Sequence, residues 1–346
     1  MLLSGTPALN RATELYTQLE ALLPAEMPSF VKFAERYCVK ETQRFGTKVA
    51  VKWGDAKRVT ELNGLLVGSV MIRRLKKDVL DQLPPKRRMR VPLDPEKMDQ
   101  DLLREVERRV AKLGPDTVGS LGDSAELFKL TAQAKLGAVL DYVQHLLSLG
   151  LKFLIFGHHR STLDAVESKV RQLKASSIRI DGQTAPAARP ALVAQFQEDS
   201  AIRVAVLSIT AAGSGLTLTA AQTVVFAELY WVPGQMMQAE DRAHRIGQRD
   251  CVTVQYLVAR GTLDETLYRT LEKKSLSVNG ILNGCRTGLD ASRQTLESAA
   301  AESARGARVP DEPTVAPAEP RQAEVSTPRA AKRARLALDD VDADLT

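Results

Sequence analysis

The chain has 346 residues, 44% of them hydrophobic and 26% charged, with a formal net charge of +6. That length suggests two domains, or one and a half with a tail, and enough apolar residues for a substantial core; the modest positive charge permits nucleic-acid binding without requiring it. Cys38, Cys251 and Cys285 lie far apart in no CxxC or His-rich spacing, which argues against a disulfide framework or a zinc site and fits a reducing compartment. No apolar run reaches the roughly 20 residues that a membrane helix needs, and the first residues do not read as a signal sequence, so a soluble intracellular protein is expected.

In chain order, residues 1–10, MLLSGTPALN, read as the end of a strand and a loop. Asn10 is placed to cap the next helix, where Leu15, Leu19 and Leu22 recur at i, i+4 and i+7. From 30 to 83 the pattern is mostly helical, with a loop or small hairpin at 46–55. The charged run 71–86 ends this segment as a helix stopped by Pro84-Pro85, a stiff connection and a candidate hinge between two bodies. Residues 94–130 are helical and charged, broken at 114–116, and the next helix, 127–149, closes at Gly150.

Five short β-rich runs follow at 152–157, 177–182, 203–209, 223–229 and 252–259, separated by helical stretches or turns. Near-continuous apolar strands alternating with helices predict an α/β domain whose parallel sheet is buried on both faces. One more helix opens at Gly261, with Thr262 and Glu265 spaced as a capping box. Past about Arg293 the composition is too poor in large apolar residues to order itself, which predicts a disordered tail. Its basic cluster 332–335 reads either as a nuclear import signal or as a chance patch.

In open α/β sheets ligands bind outside the carboxyl ends of the strands. His158, His159 and Arg160 follow the first run; Thr210 to Gly215, with Gly213 and Gly215, follow the third; Trp231 and Pro233-Gly234 follow the fourth. A glycine pair after a buried strand is either a tight turn or a loop whose amides approach a phosphate. The stretch QAEDRAHRIGQ, 238–248, reads as a short helix ended by Gly247, which puts Arg242 and Arg245 on one face. That pair is either a solvated face countered by Glu240 and Asp241, or a fork of permanently charged donors for a transferring phosphoryl group.

Five blocks decide what the chain resembles: SGTPALN at 4–10, RRLKKDVLDQLPPK at 73–86, FLIFGHH at 153–159, VLSITAAGSGLTLTAA at 206–221 and QAEDRAHRIGQ at 238–248. In this order they resemble the SWI/SNF-type ATPases of helicase superfamily two, over residues 1 to about 285. The wording of SGTPAL, FAELYW and QAEDRAHRIGQ is most similar to the annealing-helicase branch. The resemblance implies two RecA-like lobes that clamp ATP and Mg²⁺ and move along duplex or forked DNA in the nucleus. Residues 1–78 would be the end of lobe one with its helical protrusion, 79–290 a RecA-like lobe two, and 291–346 a tail. Arg242 and Arg245 would be arginine fingers, with Gly213, Gly215 and Gln238 near ATP. His158, His159, Thr210 and Trp231 would be DNA contacts.

Nothing in the sequence fits GxxxxGK[ST], and no Asp-Glu-x-His follows a strand, so the phosphate loop and the Mg²⁺ carboxylates are expected on a missing lobe one. The chain is therefore expected to be the C-terminal portion of a larger ATPase, or a truncated gene model, inactive alone and binding no metal by itself; a monomer is expected. Glu228 and Val232 depart from the Asp and Asn more usual in that loop of the broader family, and no accessory DNA-recognition module is visible. A nucleosome remodeller of the same family and a non-enzymatic DNA-binding half-enzyme are the alternative readings.

Overall fold

The computed structural model describes residues 1–45, 48–112, 121–211, 215–285, 288–289 and 291–306. They form two compact units. Met1–Leu75 combines with Lys274–Gly288, and Lys76–Lys273 combines with the described residues between Leu289 and Gly306. The units divide after Leu75, close to the expected boundary at 78, and residues 274–288 belong to the first unit.

The first unit carries a 3₁₀ turn, Ala12–Leu15, helices α1 (Tyr16–Leu22) and α2 (Phe30–Tyr37), an antiparallel hairpin of β1 (Cys38–Phe45) and β2 (Lys48–Ala56), α3 (Val59–Leu65) and a π-turn Leu66–Val70. The hairpin begins eight residues before the loop anticipated at 46–55. Asn10 does not cap the first turn: its Oδ1 is buried without a hydrogen-bond partner, and the Glu14 carboxylate reaches back to accept from the Leu9 and Asn10 amides instead. Leu15 and Leu19 join the core as expected, but Leu22 is exposed. The core is completed by Phe33, Tyr37, Leu62 and Leu66 together with Val278, Ile281 and Leu282. These last three fix why 274–288 belongs here.

The second unit contains a seven-stranded, wholly parallel sheet flanked by helices, the α/β architecture that the strand runs predict. Its strands are β3 (Lys86–Pro92), β4 (Phe153–Gly157), β5 (Ser176–Ile180), β6 (Ile202–Ser208), β7 (Thr223–Phe226), β8 (Val252–Val258) and the two-residue β9 (Ser292–Arg293), in the order β5-β6-β4-β7-β8-β3-β9. Side chains alternate between the two faces, as a period of two requires. Leu154, Phe156, Ala205, Leu207, Val224, Phe226 and Tyr256 enter one apolar cluster; Phe153, Ile155, Val204, Val206, Val225 and Leu257 enter the other. Helices α5 (Gln100–Lys112), α6 (Leu121–Ala134), α9 (Arg189–Glu198), α10 (Pro233–Glu240) and α11 (Leu263–Asn283) contribute to the first cluster. Helices α7 (Leu136–Ser148), α8 (Arg160–Gln172) and α12 (Leu296–Gly306) contribute to the second.

Three expectations are corrected here. The run 71–86 is helical only over α4 (Lys76–Val79), and Pro84-Pro85 lie inside the second unit, where the Pro85 carbonyl accepts from the Val252 amide at 3.1 Å and opens the β3 ladder. The single helix expected at 127–149 is two, because the Asp99 amide takes the Ala134 carbonyl at 3.0 Å. The stretch 291–346 is not without order throughout: α12 packs Ala299 and Ala300 fully buried, and buried Gln255 donates to the Ala299 carbonyl and Ser303 Oγ. Small residues dock this helix where large ones are missing. The expected break at 114–116 and the basic cluster at 332–335 lie outside the described residues.

The join between α6 and α7 is closely fitted. A Cβ on Gly137 would sit 2.5 Å from the Lys97 backbone carbonyl oxygen. Gly137→Ala is therefore expected to destabilise the protein by about 1–3 kcal/mol through enforced displacement, despite the better helix propensity of Ala. A urea midpoint equal to or above that of the wild type would contradict this fit.

Candidate nucleotide and nucleic-acid site

The structure gathers the predicted residues at two places in the second unit, one at each end of β7. At the carboxyl ends of β4 and β7, His158 and His159 face Tyr230 and Trp231. His158 lies 5.1 Å from Tyr230 and 5.4 Å from Trp231 between ring centroids, and Phe128 of α6 supports His159 at 4.8 Å and Trp231 at 5.3 Å. Trp231 is exposed. Thr210, also exposed, shares a hydrogen bond with Ser208 at 3.0 Å just past β6.

Glu228 holds this aromatic group together. Its carboxylate, 1% exposed, accepts the amides of His158 at 2.6 Å and His159 at 2.9 Å and pairs with the His159 Nδ1. Burial alone would raise this carboxyl, but the hydrogen bonds and charge of His159 hold it below its ordinary value. His158 is lowered by burial and by the neighbouring His159. A Cβ on Gly157 would fall 3.0 Å from Leu163 and 3.2 Å from Glu228, so a glycine here lets the carboxylate approach the turn.

At the other end, the expected arginine helix is corrected. Helix α10 runs only from Pro233 to Glu240, with Gln238 half-buried on it, and Arg242 and Arg245 follow in consecutive turns rather than on one helical face. Gly247, at φ +98°, supplies the left-handed residue of a turn instead of a helix end. The segment sits beside the stretches that lead into β3, β7 and β8, not at the carboxyl ends. Gln248 donates to the Thr219 and Ala221 carbonyls, and His244 Nε2 meets the Pro84 carbonyl at 2.7 Å. The described residues 215–221, which lead into β7, meet the segment here through the Gly215, Thr219 and Ala221 carbonyls.

Arg242 is 4% exposed, and its Nε has no hydrogen-bond partner. Burial and the adjacent Arg245 lower its guanidinium to about 10, against which Asp241 acts only weakly. Arg245 donates from Nη1 to the Gly215 carbonyl at 2.9 Å and Thr217 Oγ1 at 3.1 Å, and from Nε to the Asp241 carbonyl at 3.2 Å. Gly215 adopts φ +68°, a conformation that L side chains rarely take; Gly213 lies outside the described residues. Among the described residues neither arginine forms an ion pair.

The local acids are engaged elsewhere, by residues that the sequence reading did not single out as site residues. Glu240, fully buried, takes a bidentate contact from Arg88 (Nε 3.0 and 3.1 Å, Nη2 2.8 Å), Lys86 at 2.8 Å and the Tyr256 hydroxyl. Asp241 pairs with Lys86 at 3.0 Å and Lys76 at 2.9 Å. The alternating Lys86, Arg88 and Arg90 around apolar Met89 and Val91 were the available signal: a strand with one charged face.

Burial would raise the Glu240 carboxyl, yet Arg88 and Lys86 hold it at about 2 instead of 4.5. A folded value below the unfolded one stabilises fully above pH 4.5, and that stabilisation is lost as pH falls from 4.5 toward 2. It is on the order of 3 kcal/mol. Glu240→Gln is expected to be less stable at pH 7 and to show a flatter fall between these limits in acid unfolding followed by circular dichroism. A wild-type curve without this fall would remove the ion network from the stability account.

Two family models match the chain: the SNF2-related domain over residues 1–136 and the helicase conserved C-terminal domain over residues 135–247. The chain belongs to the SWI/SNF-type, helicase-like family. It is 45% identical over 303 residues to "DNA annealing helicase and endonuclease ZRANB3" of Mus musculus, covering 86% of this chain and 28% of that protein. It is 43% identical over 278 residues to "SWI/SNF-related matrix-associated actin-dependent regulator of chromatin subfamily A-like protein 1" of Xenopus tropicalis, covering 79% and 29%. The chain thus spans less than a third of the length of these relatives. A solved structure, "the C-terminal part of Fun30 ATPase domain", aligns with 54% of this chain and 89% of that chain at 20% identity and a TM-score of 0.43. The parallel-sheet unit of this SWI/SNF-type protein has the layered α/β form expected of a RecA-like lobe.

Proposed function

We propose that this chain supplies the second motor lobe of an ATP-dependent double-stranded DNA translocase of the annealing-helicase, fork-remodelling kind. Its relatives' names carry annealing-helicase and chromatin-regulator activities, and the nucleus is the matching compartment. The observation that carries the reading is the pair Arg242 and Arg245, left free of carboxylates beside two acids that are already taken. A buried guanidinium with an unsatisfied Nε is costly unless an anion completes it, and a triphosphate oxygen fits that donor set. Arg242 and Arg245 then act as arginine fingers, with Gly213, Gly215 and Gln238 on the nucleotide side.

On this reading Mg²⁺ and most of the triphosphate would be held by the first motor lobe. Mg²⁺, when bound there, would neutralise charge on the β- and γ-phosphates. His158, His159, Thr210 and Trp231 form the proposed DNA face: the exposed indole over its aromatic support offers a stacking surface, and the nearby backbone amides are fixed by Glu228. No helix among the described residues is long and apolar enough to cross a membrane. The proposed unit of action is a monomer on duplex or forked DNA.

The deciding experiment compares DNA-stimulated ATP hydrolysis of wild type and Arg245→Ala in a protein that includes the nucleotide-holding lobe. Loss of turnover with an unchanged melting curve supports the assignment; normal hydrolysis overturns it. For the DNA face, Trp231→Ala is expected to weaken binding of forked DNA, whose unpaired bases can stack on the indole, about tenfold (about 1.4 kcal/mol), with little change in the salt dependence, since a stacking contact releases no counterions. A changed salt slope at equal affinity would reassign Trp231.

A further inference from the structure

The sequence contains a problem that the fold solves. Glu240 and Asp241 immediately precede Arg242, and Arg245 reaches back along the same turn to the Asp241 carbonyl. Acids this close are the natural partners of both guanidiniums, and a carboxylate closed onto an arginine fork satisfies the donors that a phosphate would need. Instead, three cations from one upstream stretch occupy the two acids: Lys76 from α4, Lys86 and Arg88 from β3. Arg88 spends its fork on both oxygens of Glu240, and Lys86 bridges Glu240 and Asp241. Lys76 Nζ also donates to the His244 carbonyl at 2.9 Å, and the Pro84 carbonyl meets His244 Nε2. The stretch 76–88 therefore grips the arginine turn by its acids and its backbone while leaving its guanidiniums alone.

We infer that Lys86 and Arg88 are positioning residues for the arginine pair: by neutralising Glu240 and Asp241 they prevent those acids from capturing Arg242 and Arg245, and so keep both guanidiniums available to an oxyanion. The inference rests on the proposed reading of Arg242 and Arg245 as phosphate ligands. It differs from a purely supportive role in what it predicts for a neutral acid. If Arg88 matters because it holds Glu240 occupied, removing the negative charge of Glu240 makes Arg88 dispensable. If Arg88 matters only by stabilising the fold, Arg88→Met lowers the melting temperature while the protein that remains folded binds as wild type does.

The test is calorimetric binding of inorganic tripolyphosphate to the whole chain as wild type, Arg245→Ala, Arg88→Met and Arg88→Met/Glu240→Gln, each with its melting curve. Arg88→Met is expected to weaken binding at least tenfold, and the double variant, whose net charge equals that of wild type, to return within threefold of it. A double variant no tighter than the single one overturns the inference. Arg245→Ala reports on the underlying reading separately. If it binds as wild type does, or if wild type shows no binding, the phosphate-fork reading falls and the inference with it. If Arg245→Ala loses binding and the double variant stays weak, the fork stands and the positioning role falls. Should Arg88→Met fail to fold, Lys86→Met against Lys86→Met/Asp241→Asn makes the same comparison at the less buried end of the network.

Discussion

Lys135→Met is expected to lower the unfolding free energy by about 3–5 kcal/mol. Lys135 occupies the join between α6 and α7 and is 1% exposed, as is Asp264 at the start of α11. Its Nζ donates to Asp264 at 2.8 Å and to the Leu257 carbonyl at 3.2 Å, while the same Asp264 oxygen accepts from the Ala259 amide at 3.0 Å. One ammonium thus ties a helix join, the end of β8 and the head of α11. Methionine fills the space of the stem but leaves a buried carboxylate without its counterion, and that orphaned charge is the dominant cost. Lys135→Met/Asp264→Asn is expected to recover most of the loss, because a neutral amide oxygen still accepts from Ala259. Chemical denaturation of the four forms of this cycle measures the coupling. Additive losses would mean that the pair is not the source of the effect.

In a protein that also holds the triphosphate, Arg242→Ala and Arg245→Ala are each expected to lower the ATP turnover number by about 10³-fold or more, in the range of arginine fingers. KM should move far less, since such donors act on charge that develops in the transition state. The double variant should be only modestly worse than either single one, because the two guanidiniums act as a unit. Lysine should not rescue either position. At Arg242 the side chain is buried and an ammonium would lose its solvation; at Arg245 the planar fork spans the Gly215 carbonyl and Thr217, a geometry that a point charge cannot reproduce. Steady-state and single-turnover kinetics of the lysine and alanine variants decide this. Full activity of Arg245→Lys would show that charge alone suffices there.

Most of the five apolar runs were readable as a parallel sheet because a strand buried on both faces tends to be apolar at successive positions, as β4 and most of β6 and β7 are; β8 is buried throughout although it carries Thr253 and Gln255. Gly150 was readable as a helix end for a similarly local reason, and it takes φ +72°. Strand β3 had one signal, the alternation of Lys86, Arg88 and Arg90 around Met89 and Val91, but after two prolines KRRMRVP also has the texture of a linker; its parallel pairing with β8 and β9 makes it a strand. Helix α12 escaped for the opposite reason. Its alanines look too small to order a segment, yet they let a helix lie close against Gln255 and the sheet.

The arginine stretch divides the same way. Residue identity by itself determined that two permanently charged forks would sit close together next to two acids, because this follows from four side chains within six consecutive residues. Which charges meet was decided by the tertiary structure. Lys76, Lys86 and Arg88 arrive from more than 150 residues away in sequence and claim Glu240 and Asp241. Helix α10 also stops at Glu240 instead of carrying both arginines on one face. Local spacing sets which groups are near each other along a chain; only long-range packing sets which of several equally strong opposite charges is close enough, and dry enough, to win.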